Sequence, residues 1–167
     1  MKKIDNLVFY ENSTVMITGA CGTVGLEIIN QLLIYNVKKI IAIDNNETAL
    51  FFNGMRHADH KNIIFIFCDI RNKDELSKKM YDVDYVIHCA SLKHVPVCEI
   101  SPQDAVLTNI QGSLNVIDAA LHNEVKKVIF TSTDKAVNPK SPFIPSIRFM
   151  PFMNTKIENV KKIILIG

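Results

Sequence analysis

Thr14-Val15-Met16-Ile17-Thr18-Gly19-Ala20-Cys21-Gly22-Thr23-Val24-Gly25 is the stretch that decides the fold. A short apolar run meets glycines at 19, 22 and 25. Behind them Val24, Ile28, Ile29, Leu32 and Leu33 recur at helical spacing, which gives one apolar face. The string therefore reads as buried strand, tight turn and helix. Glycine serves each position differently: Gly19 permits the turn, Gly22 lets backbone approach a diphosphate, and Gly25 lets the helix pack close to the strand. The first turn of that helix offers free N–H groups and a partial positive charge to phosphate oxygens. Cys21, Thr23 and Val24 belong to the same expected phosphate loop. A glycine triplet alone is weak evidence, and the strand–turn–helix context is what gives it weight.

Outward from this string, apolar runs alternate with helix-period segments. Lys39 to Ile43 reads as a second strand ending at Asp44, residues 46 to 57 as a helix, and Ile63 to Phe67 as a third strand. Lys73 to Met80 is a polar helix, Tyr85 to Cys89 a fourth strand, and Lys127 to Thr131 a fifth. Ser101-Pro102-Gln103-Asp104 has the pattern of a capping box, opening a helix with Ile110, Leu114, Ile117 and Leu121 on one stripe. Strands that alternate with helices and read as continuous apolar runs imply a parallel sheet covered on both faces. The expected class is α/β, a Rossmann-type doubly wound parallel sheet.

Ligands bind such sheets at the carboxyl ends of the strands. An acid at Asp44 accepts hydrogen bonds from adenosine ribose hydroxyls and repels a 2′-phosphate. Asn45-Asn46 follows it rather than an arginine, which favours NAD over NADP. Asp69, with Ile70 beside it, ends the third strand where an acid can meet the adenine amine. After the fourth strand comes His88-Cys89-Ala90-Ser91-Leu92-Lys93-His94-Val95-Pro96. His88 is expected to be a strand residue with a satisfied ring; Ala90, Ser91, Lys93 and His94 lie in the loop and are the better site candidates.

The glycine spacing, Asp69, the 88–96 segment, Thr108-Asn109 and Ser132-Thr133-Asp134-Lys135-Ala136-Val137-Asn138-Pro139 together resemble extended short-chain dehydrogenase/reductases. More narrowly, Leu92-Lys93-His94-Val95-Pro96 and Thr133-Asp134-Lys135-Ala136-Val137-Asn138-Pro139 are similar to UDP-N-acetylglucosamine 4,6-dehydratases of bacterial polysaccharide biosynthesis. The resemblance covers residues 13 to 139. It implies a recycled NAD or NADP and a UDP-N-acetylhexosamine substrate, and it adds Asn109 to the cofactor contacts. It assigns Lys135 as the base at sugar C5, Asp134 as the acid for the departing C6 hydroxyl, and Thr133 as the partner of the C4 oxygen. A lysine base must lose its proton, so its pKa must fall from about 10.4.

The resemblance then stops. Where the family has Tyr or Met, three residues and Lys, this chain has Phe143 and Ile147, with Pro145 opposing the helix that carries them. A shifted alignment brings Lys156 to the lysine place but pairs it with Phe152. The organisation expected is therefore a dinucleotide-binding domain over 1–139 and a divergent tail over 140–167, without a substrate domain. Lys161 to Ile166 reads as one more strand, like the opening of another nucleotide-binding unit. Two other readings stay open: an inactive dinucleotide-binding fragment, and a nucleotide-sugar 4-epimerase.

Bulk properties agree. In 167 residues, 48% are hydrophobic and 22% charged, ordinary globular values. A net charge of +2 gives no case for nucleic acid or an anionic membrane. No apolar run approaches a membrane span and Asp5-Asn6 breaks any signal peptide, so a cytoplasmic location is expected. Cys21, Cys68, Cys89 and Cys98 lack metal spacing and read as small buried hydrophobes. Homo-oligomers are common in the resembled family, but nothing in the sequence marks an interface.

Overall fold

The computed structural model describes residues 10–131 and the backbone of 163–166. Its strands are β1 (Thr14–Thr18), β2 (Lys39–Asp44), β3 (Ile63–Phe67), β4 (Tyr85–His88), β5 (Lys127–Thr131) and β6 (Ile163–Ile166). They form one sheet in the order β3-β2-β1-β4-β5-β6, every neighbouring pair parallel. The order reverses between β1 and β4, so the carboxyl ends of these two strands flank the switch point where doubly wound sheets open a crevice.

The helices are α1 (Thr23–Leu33), α2 (Glu47–Arg56), α3 (Lys73–Lys79), α4 (Val95–Ile100), α5 (Pro102–Val106) and α6 (Ser113–His122), with a π-helical segment at Leu107–Gly112 between the last two. Strand alternation divides the core between the two faces of the sheet. Val15, Ile17, Ile40 and Ala42 pack with Ile29 and Leu32 of α1. Met16, Ile41, Ile43 and Val86 pack on the other face with Leu76 of α3 and Val116 and Ile117 of α6. Each such buried Val, Leu, Ile or Met side chain contributes roughly 1.5–3 kcal/mol. β3, an edge strand, is only half covered, and Ile64 and Phe67 stay exposed.

Three expectations need correction. The helix expected from Ser101 is not continuous, because the π segment divides it. The serine hydroxyl makes no capping bond, and Asp104 pairs with Arg71 at 3.2 Å instead of closing a capping box. Tertiary ion pairing outcompetes the local bond. A short helix, α4, forms where only a loop was expected; Pro96 sits at its first turn, where a missing N–H costs nothing. Finally, β6 does not open a separate unit but pairs in parallel with β5 as the last strand of this sheet. Of the cysteines, Cys68 and Cys98 are buried, whereas Cys21 and Cys89 are half-buried; all four are free thiols.

Candidate functional site

At the carboxyl edge of β1, β2 and β4 lies a cleft of about 970 Å³. Its near wall is the β1–α1 turn. Gly19 has a φ of +65°, and a Cβ there would stand 2.7 Å from the backbone of Ala90. A Cβ on Gly25 would stand 2.4 Å from the Gly19 carbonyl and 2.8 Å from Ala20 Cα, so α1 seats directly on the turn. No side chain caps α1, and no acid occupies its first turn. The Leu26 N–H bonds back to the Gly22 carbonyl at 2.9 Å. The preceding N–H groups, of Thr23, Val24 and Gly25, lead the helix without intrahelical acceptors, which is the arrangement an anion fits. Cys21, Gly22, Thr23 and Val24 line the cleft beside them.

Asp44 ends β2 on the cleft floor. One carboxylate oxygen accepts from the Cys21 N–H and the other from the Asn46 N–H, both at 3.0 Å. The acid is thereby tied to the glycine turn. Asn45 and Asp69 follow along the same wall. Asp69 does not stand free: Arg71 donates to it through Nε at 2.9 Å and Nη2 at 2.6 Å, and the Arg71 N–H adds 2.9 Å. These bonds hold the Asp69 carboxyl below its usual range. Arg71 also reaches Asp104, so its guanidinium bridges two carboxylates. Ile70 is buried, and its carbonyl accepts from Asn115 Nδ2 at 2.9 Å.

The far wall is the loop after β4, with Ala90, Ser91 and Lys93 facing the cleft and His94 next to them. Asn109, in the π segment, grips this loop twice: it accepts from the Leu92 N–H at 2.8 Å and donates to the Leu92 carbonyl at 2.9 Å. Its polar atoms are thus committed to the wall. π turns recur at functional sites, and this one turns Asn109 toward the loop. His88 behaves as expected of a strand residue, buried with both ring nitrogens hydrogen-bonded.

All the dinucleotide contacts expected from the sequence within residues 10–131 therefore line one cleft. Thr133, Asp134 and Lys135, with Phe143, Pro145 and Ile147, lie outside the described residues. Sequence reasoning missed Arg71, Ser113 and Asn115. Ser113 carried a signal: it falls on the stripe of Ile110 and Ile117, and a hydroxyl on an apolar face implies a buried partner. Burial, and then the charge of Asp44, raises the pKa of the Cys21 thiol, and burial pushes that of Cys89 up to about 11. Among the described residues no cluster could hold a metal ion, and no helix is long and apolar enough to cross a membrane.

Strand order, glycine turn and a cleft at the switch point define a Rossmann-type dinucleotide fold of the short-chain dehydrogenase/reductase kind. The chain belongs to the polysaccharide biosynthesis protein family, whose model matches residues 15–162 and so runs past the Asn138-Pro139 limit of the resemblance. It is 43% identical over 132 residues to a UDP-N-acetylglucosamine 4,6-dehydratase (inverting) of Campylobacter jejuni. It is 40% identical over 135 residues to a UDP-glucose 4-epimerase of Rickettsia typhi. Each match takes in 78% of this chain, which spans only 39% of either relative. A dTDP-glucose 4,6-dehydratase of Streptomyces venezuelae, solved with NAD bound, superposes with a TM-score of 0.80 at 21% identity, covering 91% of this chain and 53% of that one. The family is thus one of nucleotide-sugar dehydratases and epimerases.

Proposed function

We propose that this chain is the NAD-binding part of a nucleotide-sugar 4,6-dehydratase of the UDP-N-acetylglucosamine type. The observation that carries the reading is the uncapped, acid-free N-terminus of α1, seated on the Gly19–Gly25 turn beside Asp44. In this reading the N–H groups at 23–25 hold the pyrophosphate, and Asp44 takes the adenosine ribose hydroxyls with lone pairs its two backbone bonds leave free. Asn45, Asp69 and Ile70 flank the adenine, while the Ala90–Lys93 loop and Asn109 form the wall at the nicotinamide end.

Two charges favour NAD over NADP. Asp44 repels a 2′-phosphate, and the nearby guanidinium of Arg71 is already bound by Asp69 and Asp104. When bound, the nicotinamide supplies a hydride acceptor that later returns the hydride. The protein's share is acid–base work: Thr133 bonds the sugar C4 oxygen, Lys135 takes the C5 proton once a C4 ketone acidifies it, and Asp134 protonates the departing C6 hydroxyl. What supports the assignment is Thr131, which ends β5, lines the cleft and stands two positions before Thr133 in the sequence.

Phe143 and Ile147 carry a second reading, a chain that binds dinucleotide without turnover. Phenylalanine cannot take the C4 hydroxyl proton, and isoleucine cannot bond the nicotinamide ribose. Loss of one positioned acid–base group costs about 10²- to 10⁴-fold. Calorimetry with NAD and NADP tests the common part: NAD is expected to bind more tightly, and no heat with either would end both readings. Incubation with UDP-N-acetylglucosamine separates them. A 4-keto-6-deoxy product supports the dehydratase, its absence beside intact NAD binding supports the binding module, and interconversion at C4 alone indicates an epimerase.

A further inference from the structure

One buried polar chain runs behind the far wall of the cleft. The Ala90 N–H points at Thr18 Oγ1 at 3.3 Å, and Thr18 Oγ1 lies 2.6 Å from His88 Nδ1. On the other side of the ring, His88 Nε2 lies 3.1 Å from Ser113 Oγ, and Ser113 Oγ lies 2.8 Å from the Asn109 carbonyl. Asn109 in turn clamps Leu92 through both ends of its amide. The chain begins and ends on the same cleft loop, and His88 stands at its centre.

The proton count fixes its direction. A carbonyl only accepts, so the single Ser113 hydroxyl proton goes to Asn109. Ser113 Oγ can then only accept from His88, which requires a proton on Nε2. Nδ1 is left as an acceptor, and the Thr18 hydroxyl proton fills it while Ala90 donates to the Thr18 oxygen. The opposite tautomer would turn the Ser113 proton away from Asn109. It would also leave the Thr18 proton without an acceptor among the described residues. A doubly protonated ring fails for the same reason at Thr18, and the partners of its two nitrogens are hydroxyls rather than a carboxylate.

We infer that His88 is a positioning residue, a neutral ring protonated on Nε2 that joins the ends of β1 and β4 to the π segment and so fixes the Ala90–Leu92 wall. Burial holds its pKa down to about 4, consistent with a ring that stays neutral near pH 7. The tautomer stands on geometry alone; its consequence for dinucleotide affinity rests on the function proposed above.

Long-range nitrogen–proton NMR correlations on the full chain read the tautomer without any substitution. A protonated Nε2 with an unprotonated Nδ1 is expected; a proton on Nδ1 or on both nitrogens overturns the inference. Amide exchange then tests the coupling. In Ser113→Ala the Leu92 N–H should exchange about five- to tenfold faster, the worth of roughly one hydrogen bond, with Val86 and Ile87 unchanged. Ser113→Thr, which keeps the hydroxyl, should restore protection. No change at Leu92, or equal acceleration throughout β4, overturns the positioning role. Wild-type failure to bind NAD would remove the functional reading while leaving these results in force.

Discussion

The two walls of the cleft are built in opposite ways. The near wall, residues 19–25, is made by neighbours in sequence: Gly25 packs on Gly19, and one carboxylate from β2 ties the turn. The far wall, residues 90–94, is held by partners remote in the chain. Thr18 reaches Ala90, and Asn109 reaches Leu92, each across a break in secondary structure. A local wall depends on backbone fit and fails at single atoms; a remote wall depends on hydrogen bonds and fails through their protonation.

The sharpest way to break the near wall is Gly25→Ala. The added methyl group meets backbone at 2.4 and 2.8 Å, and backbone cannot rotate aside. A loss of roughly 3 kcal/mol is expected, at the upper end of overpacking costs, together with loss of NAD binding. A thermal melt and calorimetry check both. A variant with wild-type stability would show that α1 does not seat on the turn.

The far wall should break with acid. Burial lowers His88 from 6.5 to about 4, so the folded state binds fewer protons than the unfolded chain between those values. Its contribution is complete above pH 6.5 and is lost as pH falls toward 4, about 3 kcal/mol in all. Asp69, whose folded pKa is lowered, loses its contribution below the ordinary carboxylate range, in a more acidic window. Denaturant unfolding followed from pH 7 to 4.5 should show the decline. A flat profile there would mean a ring that protonates as easily folded as unfolded.

Legibility in the sequence followed the same division. The strands, the glycine turn and the acids Asp44 and Asp69 at or just past strand ends were readable because each rests on a local run or on its place beside one. The capping box was equally local but misleading, since Asp104 found Arg71, thirty-three positions away, a better partner than its own helix start. The π segment left no periodic mark, and His88 read only as a strand residue. Its partners Thr18 and Ser113 lie seventy and twenty-five positions off, brought together only by the sheet order. The place of β6 beside β5 was likewise a question of topology rather than of pattern.

Asp44 ties the near wall and also lines the cleft, and Asp44→Asn sharpens the comparison by removing charge while keeping shape. The amide oxygen can still accept from one of the Cys21 and Asn46 N–H groups, while its NH₂ now opposes the other. NAD affinity should fall by about 1.5–2 kcal/mol, in the range for hydrogen bonds to a charged group. NADP should fall less, because the repulsion of a 2′-phosphate disappears. Parallel titrations with both dinucleotides read the ratio, and an unchanged ratio would remove Asp44 from the selectivity.

The smallest effect is expected at Ser101, and there a near-zero result is the informative one. A serine that caps a helix through its side chain is worth about 1 kcal/mol against alanine. Here the hydroxyl makes no such bond, and Ser101 takes part through its carbonyl, which accepts from the Ala105 N–H at 3.2 Å. Alanine keeps that carbonyl. Ser101→Ala should therefore change stability by less than about 0.5 kcal/mol, measured as a shift in denaturation midpoint at constant slope. A full 1 kcal/mol loss would return the capping box to the start of α5. Asp104 would then be divided between its own helix and Arg71.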